Sequence, residues 1–175
     1  MKIKGLDENK IKQISDYKGE DEKTLNYRLD CYKKFKNLPL PNFGPEINID
    51  FDSINYYQTR EDDLTNSWEN IDKNAKKEFD TLGVISSEKY LDGMGVQYQS
   101  EVIYHNMLEE LKEKNVIFTS IEDAFKNHRD LIDKYFSKIV KPEENKFTAL
   151  NGAVFSGGSF IYIPKNTKLE RPLQS

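Results

Sequence analysis

The sequence predicts an α+β protein: a mainly helical region over residues 1–141 and a β segment over residues 142–175. Three observations carry that prediction. Apolar side chains recur with helical spacing at several places before Lys141. Between Phe147 and Pro164 there is no charged side chain. That uncharged stretch ends in the alternating run Phe160-Ile161-Tyr162-Ile163, stopped by Pro164.

Residues 7–18, with an Asp at the start, read as a short helix. Residues 21–38 read as a longer one. Asp21 and Glu22 lead it and Lys33, Lys34 and Lys36 trail, which suits the macrodipole. Leu25, Tyr27, Leu29, Cys31, Tyr32, Phe35 and Leu38 share one broad arc, opposite Asn26, Asp30, Lys33 and Lys34. Three prolines and a glycine between Pro39 and Pro45 then impose an irregular, extended segment. Residues 49–59 alternate enough for a short strand or an extended arm, and residues 70–84 return to helix with Gly83 as the C-terminal cap.

Further on, Ile103, Tyr104, Met107, Leu108 and Leu111 fall on one face at 100° per residue, predicting a helix ended by Asn115. "VIFTS" (116–120) reads as a buried strand, and Ser120 with Asp123 opens another helix. One more helical segment runs from Asp130 to Ile139 and is closed by Pro142. The last segment then begins as β. Phe160–Ile163 should form a strand without a following partner, "KNTK" a polar turn, and Pro172–Ser175 a second extended piece.

Composition bounds the function. The 175 residues are 37% hydrophobic and 32% charged, with ten Tyr, ten Phe and one Trp, so a core can form. A net charge of −4 argues against nucleic acid or an anionic membrane surface as the main partner. Residues 147–164 approach the roughly 20 residues of a bilayer span, but Thr148, Asn151, Ser156, Gly157, Gly158 and Ser159 exclude a membrane helix. The N-terminus lacks the apolar core of a signal peptide, and a cytoplasmic location is expected. Ten acids face four bases between Glu46 and Asp80; a solvated surface is the favoured reading, a docking face for a basic partner the sharper one.

No residue is assigned as catalytic, cofactor-binding or metal-binding. His105 is expected on the polar side of its helix, with Glu101 and Glu109 at i−4 and i+4, as a surface residue without a role. A small metal-dependent enzyme centred on it is the weakest reading. His128, in "KNHRD", is expected at a helix end. Cys31, the only cysteine, excludes an internal disulfide and a multi-cysteine zinc site, and reads as a small buried hydrophobe. "SGGS" (156–159) lacks the Lys-Ser/Thr and following helix of a phosphate loop and reads as a turn between Phe155 and Phe160.

The stretches "LDCYKKFKNLPLPNFGPEINIDFDSINYY", "LDGMGVQYQSEVIYHN", "VIFTSIEDAFKNHRDLIDKYFSKIV" and "NKFTALNGAVFSGGSFIYIPKNTKLERPLQS" resemble, in order and spacing, the N-terminal region of the SufB/SufD family of iron–sulfur cluster assembly scaffolds. The resemblance covers roughly Lys18 to Ser175. Phe155, Ser156, Gly158, Phe160, Ile161, Tyr162, Pro164 and Lys165 carry the pattern F-S-x-G-x-F-I-Y-x-P-K common to both branches, and "QYQSEVIYHN" looks more like the SufB branch.

That resemblance implies a helical domain over 1–141 followed, over 142–175, by the first strands of a right-handed parallel β-helix. The chain would thus correspond to the N-terminal portion of a longer, non-enzymatic scaffold. It also implies partners: a SufC-like ATPase, a SufD-like or second SufB-like subunit, and a cysteine desulfurase or sulfur-transfer protein. An iron–sulfur cluster is implied for the full-length family, and no cofactor for this chain. Family positions associated with sulfur and cluster chemistry lie in the β-helix and beyond, and none maps here. The rival reading is an independent, non-enzymatic interaction module that uses the acidic 46–80 region.

Overall fold

The computed structural model describes residues 1–59 and 65–175. In chain order the elements are β1 (Lys2–Lys4), α1 (Glu8–Lys18), α2 (Glu22–Asn37), β2 (Asn55–Gln58), α3 (Lys73–Thr81), α4 (Val84–Ser87), β3 (Gly93–Tyr98), β4 (Glu101–Met107), α5 (Glu109–Glu113), β5 (Ile117–Ser120), α6 (Ile121–Asn127), α7 (Arg129–Tyr135), α8 (Lys146–Val154), β6 (Ser159–Tyr162) and β7 (Leu173–Gln174). The class is α+β, as expected. Two compact units divide the chain, and each is discontinuous: Met1–Gln58 with Arg129–Phe155, and Thr59–His128 with Ser156–Ser175. Lys141, where the sequence changes character, falls inside the first unit.

In the first unit, Asp7 caps α1 by accepting from the Lys10 N–H, and Asp21 caps α2 by accepting from the Thr24 N–H at 2.8 Å. The expected arc of α2 is its packing face: Cys31, Tyr32 and Phe35 are buried with Ile11, Ala149 and Ala153. β1 and β2 pair antiparallel, Ile3 opposite Tyr57, and both side chains join Ile14 in a smaller cluster.

The uncharged stretch after Phe147 does not begin as β. It is α8, opened by a capping box in which the Asn145 side chain accepts from the Thr148 N–H while the Thr148 hydroxyl accepts from the Asn145 N–H. Charge is missing there because Ala149, Gly152 and Ala153 are buried. A Cβ on Gly152 would lie 2.6 Å from the Cys31 sulfur, so the helix approaches α2 more closely than any larger residue permits.

Arg28 is fully buried in the α2 stripe. Its Nε and one terminal nitrogen grip the Glu20 carboxylate at 2.7 and 2.6 Å, and it also donates to the carbonyls of Ala153 and Phe155 at the end of α8. A helix end otherwise leaves carbonyls unsatisfied, and here a charged side chain from another helix satisfies them.

In the second unit, β3 and β4 form an antiparallel hairpin with Gly93 opposite Met107 and Gly95 opposite His105, and a bulge between Val96 and Gln97. β7 adds in parallel, Gly93 opposite Leu173. The helix expected through Ile103 and Leu111 is therefore a strand followed by the short α5. Ile103 and Tyr104 are buried beside Met94 and Val96, while Met107 and Leu111 join Val116 and Phe118. Spacing of three and four had suggested one helical stripe; with the alternation of a strand, successive residues point to opposite faces.

β6 pairs antiparallel with β5, Phe118 opposite Ile161 and Thr119 opposite Phe160. That partner precedes it in sequence. Gly83 takes the expected left-handed conformation after α3, at φ 74°. Among the described residues the strands form one three-stranded and two two-stranded sheets, most pairs antiparallel, without the stacked coils of a β-helix.

Candidate functional site

His105 is not on an outer helix face. β4 carries it opposite Gly95, and its ring meets Phe118 edge-on at 4.7 Å. Its Nε2 is buried without a hydrogen-bond partner among the described residues. Burial pushes the imidazole below the usual histidine range, with Lys112 acting the same way, and this outweighs the opposing influence of Asp123 and the Phe118 backbone. The ring is a neutral, packed group. A Cβ on Gly93 would lie 2.9 Å from Phe118 and one on Gly95 would lie 3.3 Å away, so the two glycines of "GMG" give the phenyl ring its seat.

Tyr104 and Asn106 point to the opposite face of the strand, where they meet a carboxylate absent from the sequence-based candidates. Glu88 accepts from the Tyr104 hydroxyl, from Asn106 Nδ2 at 2.9 Å and from Trp68 Nε1 at 2.6 Å. The Trp68 and Tyr104 rings stack at 4.1 Å. Burial alone would raise the Glu88 carboxyl, but the three donors outweigh it and hold the group below the usual carboxylate range. Burial and the neighbouring Glu88 both push the Tyr104 phenol up. Such a carboxylate accepts hydrogen bonds and does not release or take up protons near neutrality. The signal that could have found it is the Tyr104/Asn106 alternation, once β4 is assigned as a strand.

Asp92 is also buried. Its carboxylate accepts from the Arg171 backbone N–H at 3.1 Å and pairs with the Arg171 Nε at 3.3 Å, while its own N–H donates to the Pro172 carbonyl. This clasp seats β7.

The Gly157-Gly158 turn holds an anion, though an internal one. Gly157 and Gly158 have φ of 64° and 103°, and the Gly157 N–H donates to the Glu122 carboxylate at 2.7 Å. Its anion-binding geometry serves the fold rather than a phosphate. Ser156 donates to the Ser100 carbonyl. The turn follows α8 instead of linking two strands.

Cys31 is buried as expected, and burial raises its thiol above the usual range. His128 ends α6, as expected, with its ring parallel to that of Phe160 at 6.2 Å. Asp72, from the acidic 46–80 stretch, caps α3. Residues 60–64 of that stretch lie outside the described residues. Cys31 belongs to the first unit, His105 and His128 to the second. Among the described residues no group of three or more His, Cys, Asp or Glu side chains is placed to hold a metal ion. No helix among them is long and apolar enough to cross a membrane.

Fold and polar clusters together define a mixed α+β module whose buried charges and hydrogen bonds secure secondary structure. Residues 22–175 match the family described as SufBD protein N-terminal region, and the chain belongs to that family. It is 46% identical over 174 residues to an iron–sulfur cluster assembly SufBD family protein of Staphylococcus saprophyticus. It is 45% identical over the same length to one of Staphylococcus aureus strain USA300. Each match covers 98% of this chain, and the chain spans 37% of the length of these relatives.

Proposed function

We propose that this chain is the N-terminal part of a SufB-type scaffold for iron–sulfur cluster assembly, non-enzymatic in itself. It acts in a complex with a SufC-like ATPase and a SufD-like or second SufB-like subunit, and a cysteine desulfurase relay supplies the sulfur. The observation that supports this reading best is the 46% identity, across 98% of the chain, to a protein named for iron–sulfur cluster assembly. The reading carries with it a cytoplasmic location and a parallel β-helix that follows α8.

The cluster is the cargo of the full-length protein. Clusters are held by several thiolates, whereas the one thiol of this chain is buried and stays protonated. The ligands are therefore assigned to the remainder of the scaffold.

A chimera tests the proposal. The 175 residues replace the matching segment of the Staphylococcus saprophyticus relative in a strain depleted of that relative. Growth and the activity of an iron–sulfur dehydratase should be restored. A chimera that accumulates as folded protein yet restores neither would refute it.

A further inference from the structure

The first unit carries an open groove of about 650 Å³ at the end of α7. Phe43, Tyr135, Ile139 and Val140 line it and are 69%, 55%, 91% and 60% exposed. Single exposed apolar side chains are ordinary, but four large ones around one concavity are not. Among the described residues Lys138 is the only charged side chain in the lining. Residues 134–141, "KYFSKIVK", hold three lysines and no acid in a chain of net charge −4. The nearby Glu143 is engaged by Lys34 at 2.6 Å. The exposed Asn151 amide also lines the groove, with no hydrogen-bond partner among the described residues.

We infer that this groove docks an acidic amphipathic helix of a partner protein. The lining comes from helices and loops, so there is no open strand edge on which an extended peptide could add main-chain hydrogen bonds. The occupant must bring its own satisfied backbone, which a helix does. Two or three apolar side chains spaced i, i+3/i+4 and i+7 fill the space between Phe43 and Ile139. Carboxylates flanking them meet Lys138 and the lysines on either side, and Asn151 pairs with a polar group at the margin. A concave surface is poorly matched to a bilayer, into which apolar side chains insert from a convex one. The inference does not depend on the assembly role.

The test uses the full chain and two 16-residue helical peptides with the same leucine stripe, one with Glu and one with Lys at the remaining positions. The acidic peptide should bind, with amide shifts confined to the groove residues, and more weakly as salt is raised. Ile139→Asp and Lys138→Glu should each weaken it by about tenfold or more. Both positions are exposed, so the variants fold. Equal binding of both peptides, no binding of either, or affinity indifferent to the two substitutions overturns the proposal. So does tighter binding to phosphatidylglycerol vesicles than to the acidic peptide, or self-association of the chain that Ile139→Asp abolishes.

Discussion

The Arg28 guanidinium lies 3.8 Å from the centre of the Phe155 ring and donates to the Phe155 carbonyl at 2.9 Å. One side chain thus joins α2 to the end of α8 by charge, hydrogen bond and stacking together. Arg28→Ala would leave the Glu20 carboxylate, 8% exposed, without its partner. A loss of roughly 3–5 kcal/mol is expected from removing one member of a buried pair. Arg28→Lys should recover only part of it, because an ammonium cannot grip the carboxylate with two nitrogens. Urea unfolding followed by far-UV circular dichroism measures this, and a loss under about 1 kcal/mol would show that the pair is dispensable.

Gly152 tests the packing of α8 on α2. Alanine is a better helix former by about 1 kcal/mol, but its methyl group would meet the Cys31 sulfur at 2.6 Å. The clash should win, and Gly152→Ala should destabilise by about 1–3 kcal/mol. Cys31→Ala in the same chain should relieve the closest contact, leaving the residue 31 Cβ and the Tyr27 hydroxyl at 3.1 Å, so a double-mutant cycle should give a clear coupling energy. Additive effects would mean that the helices are less tightly apposed.

His105 makes stability depend on pH. Its folded pKa lies below the model-compound value of 6.5, so the unfolded chain takes up its proton first as pH falls. Stability from this group is complete above about pH 6.5 and declines as pH drops towards the depressed folded value. Melting temperatures compared at about pH 7.5 and about pH 5.5 should fall less in His105→Leu than in the parent chain. An equal fall in both would relocate the effect.

Glu88 gives the opposite end of the pH scale. Its folded pKa is depressed, so its contribution is present above the ordinary glutamate range and is lost as acid titrates the folded carboxylate. Glu88→Gln should cost about 1.5–3 kcal/mol, as for hydrogen bonds to a charged acceptor. Trp68 is the only tryptophan and donates to Glu88, so its emission reports the cluster directly. Unchanged emission and stability in the variant would show that the carboxylate is not what organises Trp68 and Tyr104.

Local signals were legible in the sequence. Asp21, Ser120 and Gly83 announce helix ends through short-range chemistry, and the arc of α2 follows from one periodicity. Two kinds of error share a physical origin. Ile103, Met107 and Leu111 satisfy a helical repeat only because a strand and a short helix happen to bury them in succession. The uncharged 147–154 segment reads as β from its lack of charge, but missing charge reports burial, not geometry; the Asn145-to-Thr148 spacing is the better guide. Arg28 and Glu88 could have been suspected as charges among apolar or aromatic neighbours. Their partners, Phe155 and Tyr104, are fixed only by tertiary structure.

The two units alternate along the chain, and this sets an order on their completion during synthesis. Arg28 and Phe155 are 127 residues apart. At about 5–20 residues per second, a ribosome needs roughly 6–25 s to deliver the second after the first. Once α2 has emerged it waits for α8 with Cys31, Phe35 and a charged Arg28 uncovered, while all of residues 59–128 are made in between. The second unit cannot close either until β6 and β7 arrive. The first unit cannot finish until residues 59–128 of the second have been made, so nascent chains should present the α2 face to chaperones until Phe155 emerges.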